Sequence, residues 1–234
     1  MRPTLLLCLV ALPLLVGCKN FRLASGEDDH FIHLPEEINA TPPPPTKPLL
    51  PATVGNSWVY QIVNAESGQE RTTVAPPRII NGVSTVVLLN TQAGTPPRED
   101  LFQITNTTLA HVSSSGGNTT VNLKPPMPLV RFPLTLKDPL EWQGGVMIGK
   151  ALVPSRGRSQ LREVEQVTVP AGTFMAYRVD SALDTQLREG TSTFWTTRWF
   201  AEGIGIVKTR YMAHTPNQPD RVFSKELVSY TLKE

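Results

Sequence analysis

From Thr53 onward the chain is cut into short runs of β-branched and aromatic residues, each bounded by Gly, Pro or Asn. That punctuation restricts the fold more than any other feature of the sequence. The runs are Trp58–Ile62, Thr85–Leu89, Leu101–Ile104, Leu109–Val112 and Thr119–Leu123, then Leu161–Val169, Phe174–Leu183, Thr191–Phe200, Gly205–Met212 and Val222–Leu232. Asn81-Gly82 and Gly116-Gly117 stand where tight hairpin turns would, because these residues tolerate the positive φ such turns demand. Strands of this length at about 8–12 residue spacing describe an all-β sandwich or barrel. No segment sustains the i, i+3, i+4, i+7 apolar stripe of an amphipathic helix. The expected fold is therefore all-β: a single antiparallel β-sandwich or partly open β-barrel spanning residues 52–234, large enough to bury its own core. The proline-rich stretch Leu129–Trp142 is expected to meander along a sheet edge, where a missing N–H costs no ladder bond.

The N-terminus obeys different rules. Arg2 precedes the apolar run Leu5–Val16, the charge pattern and length of a secretory signal. The run is too short for a membrane-spanning helix, which needs about 20 residues. It ends in Leu15-Val16-Gly17-Cys18, which resembles the bacterial lipobox. The resemblance implies cleavage after Gly17, acylation of the Cys18 sulfur with palmitate-type chains, and a mature protein held on a membrane through Cys18. Lys19, in place of an aspartate, favours the periplasmic face of the outer membrane over the inner one. Residues 1–17 are thus expected to be the signal and 18–51 a tether. Within the tether Thr41-Pro42-Pro43-Pro44-Pro45 favours extended polyproline II, a semi-rigid spacer. Both cysteines, Cys8 and Cys18, are used up by this processing. The domain is left without a disulfide, a thiol nucleophile or a cysteine metal site.

Charge and motifs exclude more than they include. Without Arg2, 21 basic residues face 20 acidic ones, and no Lys/Arg run argues for nucleic acid. Gly203 and Gly205 lack the third glycine of a dinucleotide loop, since Lys208 stands in its place. Phosphate-loop, zinc-protease and nucleophile-elbow patterns are absent. No cofactor or metal is expected. His30 and His33 fall in the tether, and His111 and His214 are assigned to the surface. Arg156, Arg158 and Arg162 read as a basic loop, with anionic lipid headgroups as the functional alternative. Glu163 and Glu165 share one strand face by period two, which reads either as a solvated strand face or as the acid pair of a glycosidase, whose opposed geometry the spacing does not supply.

Three local signatures remain: Val54-Gly55-Asn56-Ser57-Trp58-Val59-Tyr60, Val167-Thr168-Val169-Pro170-Ala171-Gly172-Thr173-Phe174, and Trp199-Phe200-Ala201-Glu202-Gly203-Ile204-Gly205. Each is a strand meeting a turn, and Trp58, Trp195 and Trp199 are large enough to dominate packing. In this order the signatures resemble the TapB-like family of bacterial lipoproteins over about residues 52 to 232; Glu202 departs from the proline of the family pattern. The resemblance implies a β-domain in the cell envelope and supplies no catalytic residue. The expectation is a membrane-anchored, non-enzymatic module that binds a lipid ligand or an envelope protein. The alternative is an envelope hydrolase acting on glycan or peptidoglycan through Glu163 and Glu165.

Overall fold

The computed structural model describes residues 44–63, 68–117, 119–136 and 138–233. Cys18, the signal segment and most of the tether lie outside these residues, as do His30 and His33. The described residues form twelve antiparallel strands: β1 (Ser57–Val63), β2 (Gly68–Ile80), β3 (Val83–Gln92), β4 (Arg98–Ile104), β5 (Thr108–Gly116), β6 (Thr119–Arg131), β7 (Leu140–Ile148), β8 (Ala151–Val169), β9 (Gly172–Leu187), β10 (Gly190–Ala201), β11 (Gly205–His214) and β12 (Arg221–Thr231). Each strand pairs with the next, and β1 pairs with β12, giving a closed up-and-down barrel. The all-β expectation holds, and closure removes the exposed sheet edges.

Two strands went unread in the sequence. Strand β2 opens with Gly68-Gln69-Glu70-Arg71, which looks like a solvated loop, although Glu70 is only 1% exposed. Strand β7 contains Gly144-Gly145, an apparent breaker. A side chain at Gly144 would meet the Lys124 carbonyl oxygen at 2.4 Å, so glycine is what lets β6 and β7 approach there. The edge assignment for Leu129–Trp142 also needs correction. Leu129–Arg131 complete β6 and Leu140–Trp142 open β7, inside a closed ring. Its basis was sound in part: the β6–β7 ladder runs only from Val121–Ile148 to Lys124–Gly145. Past it Pro125 and Pro126 offer no N–H. Leu123, Met127, Trp142 and Val146 fill the resulting splay, and Trp142 Nε1–H donates to Pro125 O at 3.1 Å.

The strands start and stop at two ends. One end holds the start of β1, the finish of β12 and the β2–β3, β4–β5, β8–β9 and β10–β11 turns. Twelve strands enclose a ring wider than the roughly eight whose own side chains suffice to fill it. This end is filled by recruiting residues from outside the ladder. Leu49 and Leu50, from the segment read as tether, and Leu134, from the β6–β7 connection, are buried with Trp58, Leu129, Phe200, Val207 and Leu227. The long β8–β9 hairpin reaches across to β12, where Ala171 N–H donates to Leu227 O at 2.9 Å and Phe174 meets the Tyr230 ring edge-on.

Candidate functional site

The three sequence signatures converge on this sealed end. Trp58 Nε1–H donates to Ile204 O and Tyr60 O–H to Ile206 O, both at 2.7 Å, tying the first signature to the third across the β1–β12 closure. Asn56, fully buried, accepts from Lys233 N–H at 2.7 Å and so joins the two ends of the domain. Gly205 sits at φ +107°, and a Cβ there would press on the Trp58 indole at 3.3 Å. Glu202, the departure from the family pattern, accepts from the Thr46 and Lys47 amides at 2.6 Å and from the Thr46 hydroxyl, fastening the incoming chain. These residues seal and close a barrel. Trp58 alone of the three singled-out tryptophans belongs to the buried core.

The other half of the barrel interior carries charged and polar side chains beside the apolar β6–β7 wall. Glu70 (β2) receives Lys225 Nζ (β12) at 2.5 Å on one oxygen and the Arg98 guanidinium (β4) on the other. The Lys225 ammonium also lies 5.6 Å from the centre of the Tyr211 ring. Beside it runs a chain of hydrogen bonds. Thr72 Oγ1 donates to Asn90 Oδ1 at 2.6 Å, Asn90 Nδ2 donates to Asp100 Oδ2 at 2.8 Å, and Ser114 Oγ donates to Asp100 Oδ1 at 2.5 Å. His111 Nε2 lies 3.0 Å from Ser114 Oγ and 3.1 Å from Ser113 O, and its ring stacks on Phe102 at 5.1 Å.

Electrostatics inside the ring follow from burial and from charges facing one another. Burial disfavours the imidazolium and Arg198 repels it, against a weaker pull from Asp100, so His111 is pushed down to about 4. Burial alone would raise Asp100. The charges of His111, Lys225 and Arg198 and the Ser114 hydrogen bond hold it below the ordinary carboxylate range instead. The Tyr60 phenol is raised, first by burial and then by Glu70 and Tyr211. Strand β10 lies directly opposite β4 in the ring order, and Arg198, two residues from core Phe200 and paired in register with core Val179, is buried on its inner face.

The remaining sequence candidates fall elsewhere. His111 is not on the surface as expected but faces inward; one polar residue in an alternating strand does not say which face is enclosed. His214 Nδ1 pairs with Asp220 Oδ1 at 2.8 Å beside the β11–β12 turn. Arg156, Arg158 and Arg162 belong to β8, not to a loop, and Arg158 and Arg162 pair with Glu141 at 3.2 Å and Asp180 at 3.5 Å. Glu163 is bound to Arg178 at 2.9 Å and Glu165 accepts from Trp199 Nε1–H at 2.6 Å, so each carboxylate is committed to a structural neighbour. Sequence reasoning missed Glu70, Asp100, Arg198 and Lys225. Glu70, Asp100 and Lys225 stand beside other charged residues and Arg198 alone among uncharged ones, patterns that solvated loops and strand faces share.

Residues 153–215, spanning β8 to β11 and two of the three signatures, match the DUF3108-like family model. A candidate exported protein of Bacteroides fragilis with a YmcC-like fold is 13% identical and covers 78% of this chain and 98% of its own, with a TM-score of 0.50. A candidate lipoprotein of Parabacteroides distasonis, also 13% identical, covers 79% of this chain and 99% of its own at a TM-score of 0.46. At such identity the likeness to the Bacteroides protein is one of fold. Comparison with curated proteins gives no match.

Proposed function

We propose that this protein is a lipid-anchored module of the cell envelope that binds a ligand or a partner protein and catalyses no reaction. The observation that carries the binding role is the asymmetry of the barrel. One end is packed shut with apolar residues, while the other half encloses a buried charge network whose outer members, such as Arg98 at 43% side-chain exposure, reach solvent. Binding sites are concave and carry a few convergent polar groups among apolar walls, and the open half has that composition. Membrane attachment rests on Leu15-Val16-Gly17-Cys18, with acyl chains on Cys18 each adding about 0.8 kcal/mol of membrane affinity per buried CH₂. The exported-protein neighbour of Bacteroides fragilis agrees with passage to the envelope. Lys19 favours the periplasmic face of the outer membrane over the inner membrane for the anchor, with an envelope protein or lipid as partner and no nucleic acid.

Two measurements test this reading. Intact-mass analysis of protein from its native membranes is expected to show an acylated Cys18 at the N-terminus, and Cys18→Ser is expected to leave the membrane fraction. Native mass spectrometry and pull-down from envelope extract are expected to recover a bound molecule or partner; recovery of neither overturns the binding role.

A further inference from the structure

We infer that the open half of the barrel holds an oxyanion headgroup, a carboxylate or phosphate, on Arg198, with the apolar part of the ligand against Phe194, Tyr211 and Phe223. This rests on the binding-module reading and specifies its chemistry.

The charges of the interior do not balance. Among the described residues Arg98, Lys225 and Arg198 face two carboxylates, Glu70 and Asp100. Glu70 is taken by Arg98 and Lys225, and Asp100 by Asn90 and Ser114. Arg198 is 93% buried, yet its recorded contact is a single long hydrogen bond of 3.4 Å from Nη1 to Ser181 Oγ. No carboxylate among the described residues lies within ion-pair distance of it. A guanidinium offers five donors in a planar fork matched to carboxylate and phosphate, and burying one without a counter-charge is costly. Beside it on β8, Ser159 is paired in register with Ser181, and its Oγ is fully buried with no partner. An oxyanion accepting from the Arg198 fork and the neighbouring hydroxyls would satisfy both orphans.

The route to the site is graded. Along β10 the inward residues run from Phe200, sealed, through Arg198 and half-buried Thr196 to Phe194, 42% exposed. On β11 the series is Val207, Thr209, Tyr211, Ala213, and on β12 it is Leu227, Lys225, Phe223, Arg221; both pass from buried to accessible in the same direction. Only Ser192, two residues beyond Phe194, is covered again, by hydrogen bonding to His214 O and Thr215. The inward aromatics Tyr211 and Phe223 stack at 4.7 Å and, with Phe194 nearby, give this mouth an apolar rim above a cationic floor. That sequence of surfaces matches an amphiphile entering headgroup first.

The test titrates the full chain, stripped of endogenous lipid, with hexadecanoate, hexadecyl phosphate, hexadecanol and inorganic phosphate. Tight binding of both charged amphiphiles, with hexadecanol at least tenfold weaker, is expected, because a charge-assisted hydrogen bond contributes on that scale. Arg198→Gln is expected to erase the difference between hexadecanoate and hexadecanol by weakening hexadecanoate at least tenfold; Arg198→Lys is expected to restore part of it. The headgroup series on the unsubstituted protein keeps the test decisive should Arg198→Gln not fold. Binding of inorganic phosphate with comparable affinity supports the oxyanion site and assigns it a free anion in place of a lipid. Equal affinity for hexadecanoate and hexadecanol, or no binding of any probe, overturns the assignment. Recovery of some other molecule from envelope extract in the latter case leaves the binding-module reading standing, so the two failures are separable.

Discussion

The two ends of this barrel solve opposite problems with the same twelve strands. At the sealed end the ring is too wide for its own side chains, and the gap is filled from outside the ladder by Leu49, Leu50, Leu134 and the β8–β9 tip. At the open end no such plug is present among the described residues. Inward positions of β2, β4, β5, β10 and β12 there instead carry Glu70, Asp100, His111, Arg198 and Lys225, wholly or partly out of water, beside an apolar wall on β6 and β7. The first half gains stability from removing apolar surface from water. The second half costs stability unless each charge finds a partner. That difference separates the half whose packing holds the fold together from the half on which the proposed binding role rests.

The comparison can be broken most sharply at Glu70. Replacing it with Gln leaves the Lys225 ammonium buried without its carboxylate, and breaking such a pair costs about 3–5 kcal/mol. Urea denaturation of Glu70→Gln should show a loss on that scale; a loss below about 1 kcal/mol would mean the open half is screened like a surface. At the opposite end Leu50→Ala should cost about 3 kcal/mol, as for a buried leucine in a packed core. A near-neutral result would show that the incoming segment lies on the barrel without plugging it.

A third prediction uses pH. His111 titrates near 4 in the folded protein and near 6.5 when unfolded, so between those values the unfolded chain binds more protons. Stability therefore falls as pH drops from about 6.5 to 4, by roughly 2–3 kcal/mol from this group, and the depressed Asp100 adds loss below that window. Denaturation midpoints of His111→Gln should stay flat over the same window; an unchanged slope would place the proton elsewhere. The smallest effect belongs to Glu202→Ala on the exposed clasp. Hydrogen exchange should quicken around Thr46 and Lys47 while the barrel amides stay protected.

Much of the barrel wall was legible beforehand because apolar alternation and turn residues are local properties. The ten runs read from periodicity fall on ten strands, Val222–Leu232 overrunning β12 by one residue, and Asn81-Gly82 does turn β2 into β3, with Asn81 at φ 51°. The candidate site was not legible. Glu70, Asp100 and Arg198 each sit on a strand whose polar residues could face either way. Bulges at Leu101/Phe102, His111/Ser113 and Leu161/Glu163 then shift the faces further. Leu49 and Leu50 were lost to the tether because their burial depends on a hairpin end contributed from more than 150 positions later, through Glu202.

The sequence by itself determined an antiparallel all-β fold and ten of its twelve strands, since period-two patterning and tight turns operate between neighbours along the chain. Tertiary structure alone decided that β1 meets β12, which end is packed shut, and that an arginine faces an aspartate across the ring. Those outcomes depend on closure, and closure brings together residues whose mutual distance no local pattern encodes.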